Sequence, residues 1–517
     1  MPNPLSIMKY GHFLVAVIII LLGCTPATKE SAVVKPNIIV FYIDDLGYGD
    51  LSCYGASQIT TPNVDQLAVN GMLLTDGHSS AATCTPSRYS LLTGEYAFRN
   101  NAAILPGDAP LLIDTQKPTL PKMLKKAGYR SAVIGKWHLG LGNGNIDWNG
   151  KVSPGPLEIG FDYSFLLPST GDRVPAVYLE NHTVLNLTEG DSLRVSYKSK
   201  IGERPTGKEN PELLKYQADA QHSNTIINGV SRIGFMEGGK SAEWVDEEFP
   251  DQFIQKAEQF IGSADDKPFF LFFSFHDIHV PRMPMEQFQG KSGMGPRGDA
   301  ILQMDWTVGQ VMNLLKERGI DKNTLVVFTS DNGPVLNDGY EDESVTALGS
   351  HNPGGGYSGG KYSAFEAGTR VPTIIHWPEV VQPSVSDALF TQLDLFASLA
   401  AMLDIEMAPE EAIDSEDLSA LILGNSQTGR ATMLEESETL SLRKGNWKYI
   451  RPWLKDKKYP TWIERTKSIP DGLSKVPQLY DLSVDKAEQT NVADANPQSV
   501  SEMEEIISAI EARKKRF

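Results

Sequence analysis

The chain has 517 residues, 41% hydrophobic and 22% charged, an ordinary globular composition that excludes a disordered or fibrous protein. It is long enough for one large core and a smaller unit beside it. A net charge of −18 argues against nucleic acid as a partner, and an anionic substrate would have to be met by a locally positive site rather than steered by the overall field.

The N-terminus carries Lys9, an apolar run over residues 13–22, and then Gly23-Cys24. That run is shorter than the roughly 17 residues a spanning helix needs, and its order of charge, apolar stretch and small residue is that of an export signal. Leu21-Leu22-Gly23-Cys24 resembles the bacterial lipobox. The resemblance implies a lipoprotein signal peptide over residues 1–24, lipidation of Cys24, and a tether over residues 25–35. The expected protein is exported to the periplasm or cell surface and held at a membrane through its lipid anchor. Setting Cys24 aside leaves Cys53 and Cys84, which excludes a disulfide framework and leaves room for at most one bond between the two.

Four apolar runs of strand length each end in a polar cluster. Residues 37–43 lead to Asp44-Asp45, and residues 131–134 to Gly135-Lys136-Trp137-His138. Further on, residues 269–275 lead to His276-Asp277-Ile278-His279, and residues 324–328 to Thr329-Ser330-Asp331-Asn332-Gly333. Near-continuous apolar runs suit strands buried on both faces of a largely parallel sheet. Ligands in open α/β sheets sit beyond the carboxyl ends of the strands, where all four clusters fall.

Between the first two runs stands Cys84-Thr85-Pro86-Ser87-Arg88, followed by Leu91-Leu92-Thr93-Gly94. Proline suits a first helical turn and Gly94 a helix stop, so the spacing predicts a helix starting near Cys84. Cys84 and Arg88 then share a face, and a guanidinium near a helix N-terminus makes an anion-favouring pocket with a sulfur in it.

Helical patterns over residues 120–127 and 251–261, each closed by a glycine, alternate with the strands and argue α/β. No internal repeat is visible. Residues 191–240 are polar and Gly-rich and read as excursions over the sheet. After about Gly424 come strand-like pieces at 432–434, 440–442 and 447–450, a loop rich in Lys and Pro, and a charged helix over about 499–514. The expected architecture is a large, mainly parallel central sheet flanked by helices over residues 36–424, with a smaller C-terminal α+β domain over residues 425–517.

Asp44, Asp45, Asp331 and Asn332 offer hard oxygen ligands from two strand ends, which suits Ca²⁺ or Mg²⁺ better than zinc. With these residues in view, the chain resembles the sulfatases of the alkaline phosphatase superfamily. Three motifs in order carry the resemblance: Cys84-Thr85-Pro86-Ser87-Arg88 with Leu92-Thr93-Gly94; Gly135-Lys136-Trp137-His138-Leu139-Gly140; and Gly359-Gly360-Lys361 with residues 365–372. It implies that Cys84 is oxidised by a maturase to formylglycine, and that Asp44, Asp45, Asp331, Asn332 and the modified Cys84 hold Ca²⁺, or alternatively Mg²⁺. Arg88, Lys136, His138, His279 and Lys361 would surround the sulfate.

The chemistry explains those residue types. An aldehyde hydrate offers one hydroxyl to attack sulfur and a second to expel sulfate, which a plain thiol cannot do. Cations stabilise charge on the sulfuryl oxygens. His138 is the candidate base and His279 the candidate acid for the leaving alkoxide. Export and the family's substrates suggest a sulfated extracellular glycan. Asp172, Arg173, His222 and His351, all in polar loops, are candidates for contact with sugar hydroxyls or neighbouring sulfates. Two rivals stand beside this reading: a phosphatase or phosphodiesterase of the same superfamily, which the cysteine in its signature disfavours, and an inactive glycan-binding lipoprotein.

Overall fold

The computed structural model describes residues 35–263, 267–454 and 469–513. Cys24 and the signal-like segment lie outside them. In chain order the first strands are β1 (Asn37–Ile43), β2 (Met72–Leu74), β3 (Gly77–His78), β4 (Arg130–Lys136), β5 (Tyr163–Leu167), β6 (Leu179–Glu180) and β7 (Thr183–Val184). Next come β8 (Arg194–Ser196), β9 (Ile226–Ile227), β10 (Val230–Ser231), β11 (Phe235–Glu237), β12 (Phe269–Ser274), β13 (Thr324–Ser330), β14 (Thr373–His376), β15 (Ser384–Ser386) and β16 (Phe390–Thr391). The last four are β17 (Thr432–Glu436), β18 (Leu440–Lys444), β19 (Trp447–Ile450) and β20 (Gln478–Asp481). The α-helices are α1 (Pro62–Val69), α2 (Cys84–Thr93), α3 (Leu120–Lys126), α4 (Phe249–Gly262), α5 (Gly295–Glu317), α6 (Leu395–Met402), α7 (Ser419–Ile422) and α8 (Pro497–Ala512).

A ten-stranded sheet runs β15-β2-β14-β13-β1-β12-β4-β5-β6-β7. Its centre, β13-β1-β12-β4-β5, is parallel throughout. Antiparallel pairings enter only toward the margins, at β14 and β2 on one side and at β6 and β7 on the other. β1, β12 and β13 are buried along their whole length, as continuous apolar runs require. Helices α1, α4 and α5 pack together, as do α2, α3 and α6, and these groups flank the sheet. Ile38, Ile39, Val40 and Phe41 have no exposed surface, and each such side chain contributes about 1.5–3 kcal/mol of burial.

Register aligns the strand ends. Ile43 lies opposite Ser330, Tyr42 opposite Ser274, and Ser274 opposite Gly135. The chain therefore leaves four neighbouring strands at one edge, carrying Asp44, Asp331, the His276–His279 turn and the His138 turn to the same place. Gly135 has φ +108°, and a Cβ there would meet the Ser274 carbonyl at 1.8 Å, so this close approach of β4 to β12 needs glycine.

The polar stretch over residues 191–240 forms two-stranded sheets, β8 with β11 and β9 with β10, apart from the main sheet. Helix α5 was not legible in the sequence: Arg297, Asp299, Gln303, Asp305 and Thr307 are buried in it beside apolar residues, which blurs any amphipathic period.

Toward the C-terminus, β17-β18-β19-β20 make an antiparallel meander. Met503, Ile507 and Ile510, spaced at helical period on α8, pack with Leu434, Leu442, Tyr449 and Leu479 of the meander. The same cluster takes in Tyr96 and Leu393 from the larger part of the fold. At the end of β17, Glu436 exchanges backbone hydrogen bonds with Ser80 and Ala82, so this small sheet braces the segment leading into Cys84.

Candidate active site

Asp44 and Asp45 follow β1, and Asp331 and Asn332 follow β13. Carboxylate oxygens of the three aspartates lie within 4.8 Å of one another, all buried. Asn332 Nδ2 donates to Asp45 Oδ1 at 2.7 Å, while Asp44 Oδ1 and Asn332 Oδ1 have no hydrogen-bond partner among the described residues. Burial, and next the Asp331 carboxylate, push the Asp44 carboxyl up to about 8 against the pull of Lys136. Buried acceptor oxygens without donors are rare, and a group of hard oxygens holding three carboxylates is a fitting cradle for a divalent cation.

Helix α2 begins at Cys84 itself. Its first turn is anchored by its own signature: Thr85 Oγ1 donates to the His138 carbonyl at 2.9 Å and Ser87 Oγ to the Ala81 carbonyl at 2.8 Å. Gly94 ends the helix with φ +65°. One turn along, Arg88 is buried against the acid cluster. Its Nε and Nη2 donate to Asp331 Oδ2 at 3.0 and 2.7 Å, and its Nη1 donates to Ser274 Oγ and to the Lys136 carbonyl. Against its own burial, Asp331 is held below the usual carboxylate range by Arg88 and Lys136. Burial raises the Cys84 thiol, with Lys136 and Lys361 opposing.

The two lysines sit on the acid cluster. Lys136 Nζ donates to Asp44 Oδ2 at 2.5 Å, and Lys361 Nζ to Asp45 Oδ2 at 3.0 Å and Asp338 Oδ2 at 2.9 Å. Asp338 and Asp45 keep Lys361 charged despite its burial. His138 Nε2 lies 3.0 Å from the Leu105 carbonyl, which puts the ring proton there, and Nδ1 has no partner among the described residues. His279 Nδ1 donates to the Val280 carbonyl at 2.6 Å, leaving Nε2 turned toward Asp45 Oδ2 at 4.0 Å. Burial, then nearby cations, hold both imidazoles well below their usual range: Arg173 and Lys136 for His138, Lys136 and Lys361 for His279. Asp45, His138 and Tyr362 have φ of +60°, +54° and +74°. Such conformations cost about 1–3 kcal/mol each and concentrate at functional sites.

A cavity of about 230 Å³ reaches Cys84, His138, His279 and Lys361. Asp172, Arg173 and His222 line it and are tied together: Arg173 Nη1 donates to Asp172 Oδ1 at 2.9 Å, and His222 Nε2 lies 3.4 Å from Asp172 Oδ2. His351 does not join them. Its Nε2 bonds Asp50 Oδ1 at 2.8 Å, and Asp50 also receives both Nη atoms of Arg297, so this histidine serves a buried ion pair elsewhere. Sequence reasoning missed Asp338, whose Asn337-Asp338-Gly339 context reads as a turn. It also left His276 without a role. That ring accepts the Gly171 N–H at 2.7 Å and so holds the loop bearing Asp172. Cys53 and Cys84 are both free.

A family model described as Sulfatase matches residues 36–405. The chain belongs to the sulfatase family. It is a sulfuric ester hydrolase, 48% identical over 503 residues to an N-acetylgalactosamine-6-O-sulfatase of Bacteroides thetaiotaomicron, with 96% of this chain and 98% of that one covered. Human arylsulfatase A is 30% identical over 496 residues, covering 91% and 87% of the two chains. Among solved structures, a 6S-sulf protein from a B. thetaiotaomicron locus for metabolism of multiple glycosaminoglycans superposes with TM-score 0.89 at 48% identity, over 93% of this chain and all of that one. Sulfatases generally use a formylglycine and a divalent metal, and the acid cluster beside Cys84 fits such an ion.

Proposed function

We propose that this sulfatase hydrolyses an O-sulfate on a carbohydrate, with the 6-O-sulfate of N-acetylgalactosamine as lead substrate, using formylglycine made from Cys84 and Ca²⁺, or alternatively Mg²⁺, held by Asp44, Asp45, Asp331 and Asn332. The observation that carries the reading is that Cys84 lines a cavity walled by Asp172, Arg173 and His222, beside an acid cluster with two oxygens that have no hydrogen-bond partner among the described residues. The 48% relative supplies the sugar. As a buried thiol with a raised pKa, unmodified Cys84 is a poor nucleophile.

A formylglycine at position 84, with a divalent cation held by Asp44, Asp45, Asp331 and Asn332, would supply an oxygen nucleophile toward sulfur and a second hydroxyl for sulfate release. Lys361, which lines the cavity, and Lys136, buried on Asp44 beside it, would set fixed ammonium charge against the sulfuryl oxygens. Arg88 acts one step back, holding Asp331. His138 is the base: Leu105 takes its Nε2 proton, so Nδ1 is the atom that accepts one. His279 has its Nδ1 proton on Val280, so Nε2 is the atom that delivers a proton to the leaving alkoxide, and the charge of a bound sulfate ester offsets the two lysines that oppose its protonation. The reading extends to an exported protein, lipid-anchored at Cys24 and matured by a formylglycine-generating enzyme. Its support is the order of charged, apolar and small residues before Cys24.

The test is release of sulfate and of phosphate by protein co-expressed with a maturase, on a panel of sulfated sugars and aryl and phosphate esters, beside Cys84→Ala. Sulfate release from 6-O-sulfated N-acetylgalactosamine that disappears in the variant is expected. Phosphate release in its place, or no release despite an aldehyde detected at position 84, overturns the reading.

A further inference from the structure

The cavity that reaches Cys84 does not end at the sugar contacts. A second cavity of about 450 Å³ adjoins it, and Tyr197 lines both. Two stretches of chain run along the pair. On one side Leu105 and Pro106 line the inner cavity and Asp108 the outer; on the other, Tyr197 faces both and Lys198 the outer. Gly107 seats the first stretch against the second, since a Cβ there would lie 2.0 Å from Tyr197 Oη. Tyr197 Oη donates to the carbonyl of Val174, the neighbour of Arg173, which fixes the ring as a rigid partition.

The outer cavity is built in advance. Asn149 laces its two walls, accepting the Leu193 N–H at 2.7 Å and donating to the Leu193 carbonyl at 2.9 Å. The Asn149 N–H also fixes Asp147 Oδ1 at 3.0 Å, and Trp148, 3% exposed, anchors that wall in the core. Carboxylates at Asp108 and Asp147 therefore stand in a preformed hollow one aromatic ring away from the inner cavity. Carboxylates are strong acceptors for hydroxyls, and an aromatic side chain with an apolar face and a polar tip suits the surface of a sugar.

We propose that the outer cavity is a second saccharide subsite, taking the sugar ring joined to the sulfated sugar. Its hydroxyls donate to Asp108 and Asp147, and the glycosidic linkage crosses Tyr197. The inference rests on the carbohydrate sulfatase reading above and adds that the enzyme acts best on a sulfated sugar still joined to its neighbour.

The experiment compares kcat/KM of the matured full-length protein on three substrates. One is 6-O-sulfated N-acetylgalactosamine; the other two are disaccharides joining that sugar to galactose through its anomeric carbon or through O3. One disaccharide is expected to exceed the monosaccharide by roughly ten-fold, mainly through KM, as one charge-assisted hydrogen bond provides. Asp147→Ala and Asp108→Ala should each bring the disaccharide-to-monosaccharide ratio toward one. Asp147 is exposed, so its variant tests recognition rather than folding. A wild-type ratio near one for both disaccharides, or a ratio that neither variant changes, overturns the subsite. Absence of sulfate from all three substrates, with the aldehyde confirmed, overturns the underlying reading instead.

Discussion

Arg88 and Asp331 form a two-pronged ion pair in which neither side chain is exposed, with Nε and Nη2 both donating to Oδ2 at 3.0 and 2.7 Å. The guanidinium rises from the helix that starts at Cys84, and the carboxylate from the end of β13. A buried arginine one turn into that helix needed an anion, and the protein supplies it, welding the nucleophile's helix to the acid cluster.

Arg88→Met should leave Asp331 buried without its main partner. Breaking a buried pair costs about 3–5 kcal/mol, and urea unfolding should show a loss of that size together with a fall in sulfate release of more than about 100-fold. Arg88→Lys keeps the charge but not the fork, and should fall between the variant and the wild type in stability. A wild-type unfolding midpoint for Arg88→Met would show that the pair does not hold the site together.

Chelation should reveal the cation. Protein treated with a chelator is expected to lose activity and melt at a lower temperature, and Ca²⁺ or Mg²⁺ should restore both. A ligand at 100 times its Kd stabilises by about 2.7 kcal/mol, so differential scanning calorimetry will resolve the shift. Asp44→Asn should blunt the response, because it removes a carboxylate whose Oδ1 has no hydrogen-bond partner among the described residues. A melting temperature indifferent to chelator and to added metal would count against the cradle.

Lys448 of β19 stands between two buried carboxylates, bonding Glu435 and lying 3.3 Å from Glu366 Oε2. Arg443 of β18 reaches Glu366 and Asp76, and Arg370 joins the same two acids. This network ties the C-terminal meander to the main fold. Lys448→Met should leave the buried Glu435 without its main cation, while Arg443 and Arg370 still hold Glu366, at a loss of about 3–5 kcal/mol in denaturant titration. Its kcat/KM, measured on the folded fraction, should stay within a few-fold of wild type, because Lys448 does not line the cavity.

Glu436 gives a pH dependence with a definite sign. Burial pushes its carboxyl up to about 8, against the backbone N–H groups of Ala97 and Phe98. Between its ordinary value of 4.5 and about 8 the folded state keeps a proton that the unfolded state has released. Stability from this group is therefore full below about pH 4.5 and is lost as pH rises toward 8, by at most about 1.4 kcal/mol per pH unit. Glu436→Gln removes the titration, so its stability relative to wild type should climb from pH 5 to pH 8 in urea melts. A constant difference across that range would contradict the assignment.

The features readable along the chain were the local ones. Strands buried on both faces must be continuous apolar runs, so residues 37–43, 269–275 and 324–328 announced themselves, and the polar residues just beyond them marked the edge where a site forms. The helix at Cys84 was legible because its proline and closing glycine act within a turn or two of chain. Helix α5 and strand β20 were not, one because its polar residues are buried among apolar ones, the other because four residues after a loop carry too little pattern. Folding alone decided which groups meet. Arg88 finds Asp331 across 243 residues, and Lys136 finds Asp44 across 92. It drew Asp172, Arg173 and His222 to one cavity, sent His351 to Asp50, and set Asp338 against Lys361. Backbone propensity is a property of neighbours in sequence. Desolvation and charge pairing are properties of neighbours in space, and they govern the protonation of His138, His279 and Cys84.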